Sequence, residues 1–138
     1  MIRAVLDTNV LVSALISPFG NEARALDAVL KGRITPCLST GVLREYAEVL
    51  ARPKFSFSSE QIDGLLGLLQ AKGVLFEPLP APGASPDPGD DNLIACALEA
   101  NADFLVTGNK RHFPAEAYGQ ARVVSAKELL EALGQVQT

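Results

Sequence analysis

Acidic residues stand at three places where a folded chain could use them for chemistry. Asp7 follows the apolar run Ile2–Leu6, Glu45 lies in a helical segment, and the pair Asp90 and Asp91 opens a second helical segment. Converging carboxylates repel and raise one another's pKa unless a cation offsets their charge. Mg²⁺ takes one or two carboxylates and keeps water and substrate phosphate as further ligands. Converging acids would therefore predict a divalent-metal site that orients water for attack on a phosphodiester.

Short β-like runs alternate with helical segments along the chain. The predicted strands are Ile2–Leu6, Ile34–Leu38, Val74–Glu77, Phe104–Val106 and Arg122–Val124. The predicted helices are Val10–Leu15, Glu22–Lys31 with Asn21 as its cap, Thr40–Leu50, Ser59–Lys72, Asp91–Ala100 and Ala126–Leu133. This alternation predicts an α/β fold with three layers, α/β/α, and a parallel sheet of about five strands. The stretch "PLPAPGASPDPGDD" is too short to link two domains, so residues 1–138 are predicted to form one domain.

Ligands of open parallel sheets bind outside the carboxyl ends of the strands, so polar residues at those ends are candidates. Asp7, Thr8 and Asn9 follow the first strand, and residues 107–109 (Thr-Gly-Asn) follow Phe104–Val106. The plain alternatives are a helix cap at Asp7 and a glycine turn at 107–109. Capping needs one polar side chain, whereas the sequence "DTN" supplies three.

The acids at the start of the helix Asp91–Ala100 have a functional and a structural interpretation. On a helical wheel Asp91 shares the face expected to meet the sheet with Ile94, Ala95 and Leu98. The structural alternative is an acid that the helix dipole favours. Helix starts are uncertain by one or two residues, which leaves Asp90 as a rival.

Glu45 lies at the edge of the apolar arc of the helix Thr40–Leu50, whereas Glu48 points into the polar face. A carboxylate at that border can reach a cleft beside the sheet. The plain alternative is an ordinary solvated glutamate on an amphipathic helix.

The composition is that of a globular protein, with 48% hydrophobic and 20% charged residues among 138. No apolar run is long enough to cross a bilayer and no secretory signal is visible, so we expect a cytoplasmic protein without membrane contact. Cys37 and Cys96 are predicted to be buried thiols, not a bridge or a metal site. With a net charge of −4, nucleic-acid binding would need a local basic patch, and a small-molecule enzyme fits equally well.

Two motifs, "AVLDTNVLVSAL" and "DDNLIACALEANADFLVTGN", with an acidic helix between them, resemble the PIN-domain nucleases. Within that family the sequence is most similar to bacterial single-domain proteins described as toxins of toxin–antitoxin pairs. The resemblance covers Ile2 to about Leu133. It implies a ribonuclease that depends on Mg²⁺ or Mn²⁺, forms a homodimer, and often has a protein antitoxin that covers the acidic cleft.

The resemblance also assigns roles to single residues. Asp7 and Asp91, the latter in "DNLIA", would be direct metal ligands, and Glu45 would complete the pocket directly or through water. Asn109 stands where many family members carry a fourth acid, and an amide would bind a second metal more weakly. Asp103 precedes a strand and therefore lies at the wrong end to replace that acid.

Further residues are predicted to support these ligands or to contact the substrate. The residues expected to hold ligands or water by hydrogen bonds are Thr8, Asn9 and Thr107. Lys110 and Arg111 follow the 107–109 turn and are predicted to bind RNA phosphates, with His112 as a further phosphate donor. The alternative is a solvated basic loop.

Two other functions remain open at this point. A phosphatase or phosphoacceptor domain also places aspartates around Mg²⁺ at strand ends, although Asn9 stands where an aspartyl-nucleophile phosphatase has its second acid and Lys110 only loosely matches a receiver lysine. The missing acid at Asn109 also fits a binding module, for RNA or protein, with a degenerate pocket. The helix Ser59–Lys72 is apolar over a wide arc, which leaves room for a dimer face.

Overall fold

The computed structural model describes residues 2–77 and 88–136. Residues 78–87, most of the Pro/Gly-rich stretch, lie outside the described residues, so the interpretation of that stretch stays a prediction. Within the described part, no helix is both long and apolar enough to span a membrane.

Six strands form one sheet, and six helices flank it in the described part of the chain. The strands are β1 (Ile2–Leu6), β2 (Ile34–Leu38), β3 (Val74–Leu75), β4 (Phe104–Val106), β5 (Ala117–Tyr118) and β6 (Ala121–Val124). The helices are α1 (Thr8–Ile16), α2 (Asn21–Leu30), α3 (Thr40–Leu50), α4 (Ser59–Lys72), α5 (Pro88–Ala100) and α6 (Ala126–Val136). The predicted three-layer α/β/α architecture is confirmed.

The strand order is β3-β2-β1-β4-β6-β5, with β1 inside the sheet. Every pair in that order is parallel except β5 with β6, which are antiparallel. The sequence did not predict β5, because two residues carry no usable periodicity. A two-residue turn joins β5 to β6, and Gly119 fits it because its φ of 61° disfavours other residues.

Strand β1 shows why the sheet must be covered on both faces. Ala4, Val5 and Leu6 are all at most 1% exposed, although successive side chains of a strand point to opposite faces. The core on each side of β1 is therefore apolar, as a parallel sheet under two helical layers requires. Cys37 and Cys96 are buried free thiols, as predicted. Burial raises the pKa of Cys37 to about 11 and that of Cys96 to about 12, so both stay protonated.

Several helix starts follow local capping rules. The predicted capping box of α4 is present: Ser58 Oγ accepts from the Gln61 amide at 3.1 Å, and Gln61 Oε1 accepts from the Ser58 amide at 2.8 Å. Helix α3 is capped by Ser39. The prediction that Asn21 caps α2 was wrong, because Gly20 takes the cap position and Asn21 is the first helical residue.

Candidate active site

The strand order aligns polar residues along the carboxyl edge of the sheet. The residue that follows β2 is Ser39, the residue after β1 is Asp7, the residue after β4 is Thr107, and the residue after β6 is Ser125. Glu77 lies two residues beyond β3 at the same edge. Since β1 and β4 are neighbours, Asp7 and Thr107 come side by side although a hundred positions separate them.

Asp7 is a buried carboxylate, only 6% exposed. It occupies the cap position of α1, yet its side chain makes no capping hydrogen bond. Instead, its Oδ2 accepts a hydrogen bond of 2.8 Å from the hydroxyl of Thr107. Burial raises the pKa of Asp7 above its usual value, although the bond from Thr107, the backbone amides of Thr8 and Asn9 and the charge of His112 oppose that rise. The first-turn amides thus help to offset the charge of Asp7, but no capping hydrogen bond holds its side chain.

The turn after β4 is held by its own hydrogen bonds and by α1. Thr107 Oγ1 accepts from the Asn109 amide at 3.0 Å, and the Gly108 amide donates to Asn9 Oδ1 at 3.0 Å. Asn109 Oδ1 accepts from the Arg111 amide at 3.3 Å and so caps a short 3₁₀ turn over Lys110–His112. The side chains of Asn9 and Asn109 thus position backbone at the site.

The two acids at the start of α5 differ in burial. Asp90 is 7% exposed, and its Oδ2 lies 3.1 Å from His112 Nδ1, whereas Asp91 is half-buried. Leu98, predicted to face the sheet, is 44% exposed, so that prediction was wrong. The residues of α5 that are buried in line with Asp90 are Leu93, Ile94 and Ala97. The inner face of α5 therefore carries Asp90, whereas Asp91 lies at its border, because packing against the sheet sets which side of the helix is buried.

Glu45 is half-buried on α3, and its neighbours fix where it lies. The adjacent Tyr46 is fully buried and donates its hydroxyl to the carbonyl of Leu6, the residue before Asp7. One turn earlier, Gly41 faces Asn92 of α5 so closely that a Cβ there would come within 2.7 Å of Asn92 Oδ1. Helix α3 therefore carries Glu45 along the boundary between the end of β1 and the start of α5.

Two of the three basic residues predicted to meet substrate have carboxylate partners. Lys110 Nζ lies 2.6 Å from Glu128 Oε1 of α6, and this contact lowers the pKa of Glu128 to about 2. His112 contacts Asp90. Arg111 is exposed. The basic cluster is thus tied to α5 and α6, and Arg111 projects from it toward solvent.

The oxygen donors at this edge fit a hard divalent ion, although no three Asp, Glu, His or Cys side chains among residues 2–77 and 88–136 form a preassembled metal cluster. Mg²⁺ needs only one or two carboxylates. Thr8 Oγ1, next to Asp7, is buried and has no hydrogen-bond partner within the described residues. Buried hydroxyls are normally satisfied, so this atom indicates room for water or a hydrated ion beside Asp7.

Sequence reasoning did not find three of the polar contacts at this edge. Glu77 accepts a 2.7 Å hydrogen bond from Thr40 Oγ1, and its position after β3 was a usable signal. Glu128 forms a capping box with Ser125, which the sequence "SAKE" announces. The contact between Asp90 and His112 had no sequence signal, because it depends on how α5 packs against the 3₁₀ turn.

Comparison with known proteins matches the sequence to a family. A family model described as "PIN domain" matches residues 3–111, from β1 through the turn after β4. A protein of Methanocaldococcus jannaschii, described as the uncharacterized protein MJ1680, is 30% identical over 112 residues, which cover 79% of this chain and 72% of that protein. The matched segment contains the acids Asp7, Glu45 and Asp91.

Proposed function

Because the chain belongs to the PIN-domain family, whose members are generally nucleases, we propose that it is a metal-dependent endoribonuclease. The observation that supports this most directly is Asp7, a carboxylate kept almost dry at the carboxyl edge of an inner strand and held by Thr107. Burying an ionised carboxylate costs free energy unless a partner offsets its charge. Acids with strongly perturbed pKa values cluster at functional sites.

In this proposal Asp7 and Asp91 hold Mg²⁺ or Mn²⁺, and Glu45 completes the pocket directly or through water. The bound ion supplies charge stabilisation and a more acidic water for phosphodiester hydrolysis. The hydroxyl of Thr107 keeps Asp7 in one orientation, and Asn9 holds the Gly108 amide so that the turn stays beside α1. Thr8 presents a buried hydroxyl to water beside Asp7.

The substrate contacts are proposed to come from the 3₁₀ turn. Arg111 is exposed and available to bind a phosphate. Lys110 would leave the carboxylate of Glu128 and bind a phosphate instead. Since the whole chain carries a net charge of −4, binding would depend on these few contacts, and its weakening with salt would follow the small number of phosphates that they neutralise.

The decisive experiment compares wild type with Asp7→Asn, purified side by side, on single-stranded RNA with Mn²⁺, with Mg²⁺ and with chelator. We expect cleavage only by wild type and only with metal. Mn²⁺ should also raise the melting temperature of wild type more than that of the variant, because an ion that binds the folded state stabilises it. Equal cleavage by both proteins would contradict the proposal.

A second function, RNA or protein binding without cleavage, is favoured by one observation. The amide oxygen of Asn109, where a fourth acid was expected, accepts from a backbone amide and adds no charge. Calorimetric titration with Mn²⁺ separates the two functions. If the protein is a nuclease, Mn²⁺ should bind saturably at neutral pH to wild type and not to Asp7→Asn. If it is a binding module, no Mn²⁺ binding is required.

We further propose that the protein acts in the cytoplasm as the toxin of a toxin–antitoxin pair and is a homodimer, on the strength of the sequence resemblance. Helix α4, which was predicted to offer a dimer face, packs much of its apolar arc against the core. Leu65 and Leu69 are buried, and Ile62, Leu66 and Leu68 are half-buried. Growth arrest on expressing wild type but not Asp7→Asn would support the toxin role. Light scattering would give the mass in solution.

A further inference from the structure

The turn from Thr107 to His112 is tied to the rest of the molecule on two sides. On one side Thr107 donates to Asp7, and the Gly108 amide donates to Asn9. On the other side the imidazole of His112 reaches Asp90. The backbone between them is closed by a hydrogen bond from the His112 amide to the Asn109 carbonyl at 3.2 Å. The turn therefore links the start of α1 to the start of α5.

The second link joins a buried carboxylate to a half-exposed imidazole. Asp90 is 7% exposed, so its carboxylate needs donors supplied by the protein. His112 Nδ1 lies 3.1 Å from Asp90 Oδ2, which is ion-pair distance, and an imidazole that carries hydrogen on Nδ1 donates there once the ring turns to align that hydrogen. Phe113, the next residue, is 2% exposed and packs edge-on against Tyr118 at 6.2 Å. The burial of Phe113 thus holds the backbone next to His112 in place.

We propose that Asp90 and His112 are a positioning pair that fixes the turn against α5 and thereby sets the separation of Asp7 and Asp91. Asp7 is held by the first residue of the turn, and Asp91 is the covalent neighbour of Asp90. A shift of the turn away from α5 would move one of these acids relative to the other. The consequence for metal binding rests on the proposed function, whereas the consequence for the turn itself does not.

The test uses three replacements of His112 that differ in one donor. Asparagine places its amide nitrogen close to where Nδ1 lies, glutamine reaches the position of Nε2, and alanine has neither donor. We expect His112→Ala and His112→Gln to weaken Mn²⁺ binding by roughly 10–100-fold in calorimetry, the usual effect of losing a group that orients a ligand. His112→Asn should stay within about 3-fold of wild type, since it keeps the donor to Asp90.

A double-variant comparison shows whether the two residues act as one unit. Asp90→Ala combined with His112→Ala should bind Mn²⁺ no more weakly than the worse single variant. Asp27→Ala is the matched control, because Asp27 also pairs with a cation, Lys31 at 2.8 Å, but on the exposed surface of α2. In RNA cleavage, His112→Ala should lower kcat and also raise KM, because the loosened turn carries the proposed phosphate contacts Lys110 and Arg111.

Hydrogen exchange of the metal-free protein gives a readout that needs no ion. The amides of Gly108 and Asn109 should exchange faster in His112→Ala and His112→Gln than in His112→Asn or wild type. The inference is overturned if those rates are equal in all four proteins, or if the single effects on Mn²⁺ affinity simply add. If wild type binds no Mn²⁺ while the exchange pattern holds, the proposed function fails and the positioning pair stands.

Discussion

The two edges of the sheet use similar polar residues in opposite ways. At the carboxyl edge and its flanking helix starts lie the buried polar residues of the described chain, which are Asp7, Thr8, Ser39, Asp90 and Thr107. At the amino edge, Asp103 Oδ2 accepts from the Arg3 amide at 2.9 Å, Arg3 Nη1 donates to the Ala100 carbonyl at 2.9 Å, and Gln120 donates to the Asn101 carbonyl at 2.7 Å. Arg3, Asn101 and Gln120 are exposed.

This difference separates a structural carboxylate from a functional candidate. Asp103 is half-buried and hydrogen-bonds backbone that closes the sheet, so water screens its charge. Asp7 gives up most of its hydration, its side-chain donor is Thr107, and burial raises its pKa. Folding alone does not require that cost, which a bound cation would offset. Residue type is the same at both edges, and burial distinguishes them.

The largest effect should come from replacing Asp7 with asparagine, and the same replacement at Asp103 is the comparison. Asp7→Asn is expected to abolish metal-dependent RNA cleavage and to leave the melting temperature equal or higher, because the neutral amide escapes the burial penalty that raises the Asp7 pKa. Asp103→Asn should keep cleavage and lose about 0.5–1.5 kcal/mol of unfolding free energy, the usual value of one hydrogen bond. Gel-based cleavage and thermal melts check both. Loss of cleavage in Asp103→Asn would erase the distinction between the edges.

Thr107→Val should have the next largest effect, because it removes the side-chain hydroxyl that donates to Asp7 while nearly preserving shape. We expect kcat to fall roughly 10–100-fold. Stability should drop by about 1–3 kcal/mol, because a buried acceptor loses its donor. Thr107→Ser keeps the hydroxyl and serves as the control in the same kinetic and urea-unfolding assays. A serine variant as impaired as the valine variant would show that keeping the hydroxyl does not preserve activity, which would contradict the prediction.

Tyr46→Phe tests whether α3 is fixed to the carboxyl edge through one hydroxyl. The variant leaves the Leu6 carbonyl without its donor inside the core, so unfolding in urea should show a loss of about 1–3 kcal/mol. Cleavage should fall only a few-fold, since Glu45 shifts slightly while Asp7 stays in place. An unchanged unfolding free energy would mean that this hydroxyl does not hold α3.

Glu128→Gln should have the smallest effect, because both Glu128 and Lys110 are about half-exposed. The folded-state pKa of Glu128, about 2, lies below its ordinary value of 4.5, so its ionised form stabilises the fold above pH 4.5. That contribution is lost as the pH falls from 4.5 toward 2. The stability difference between wild type and variant should therefore shrink over that range in denaturant titrations. Glutamine preserves the capping box, so a gap that persists at pH 2 would contradict this cause.

The sequence predicted most of the fold because most elements carry a local signal. Strands β1, β2 and β4 begin and end where their apolar runs do, and α3 and α4 match their predicted bounds. The elements that deviated had weaker signals. Helix α5 begins at Pro88, before the first apolar residue that periodicity can use, and β5 is too short to show any period.

For the candidate site, the sequence by itself determined which residues follow the strands, and therefore that Asp7 and Thr107 would share one edge of the sheet. Only the tertiary structure decided how those residues are used. The burial of Asp7, the choice of Asp90 over Asp91 as the partner of His112, and the capture of Lys110 by Glu128 all depend on how helices pack over that edge. Local patterns fix the order of elements along the chain, whereas burial and pairing arise between elements that are distant in sequence and adjacent in space.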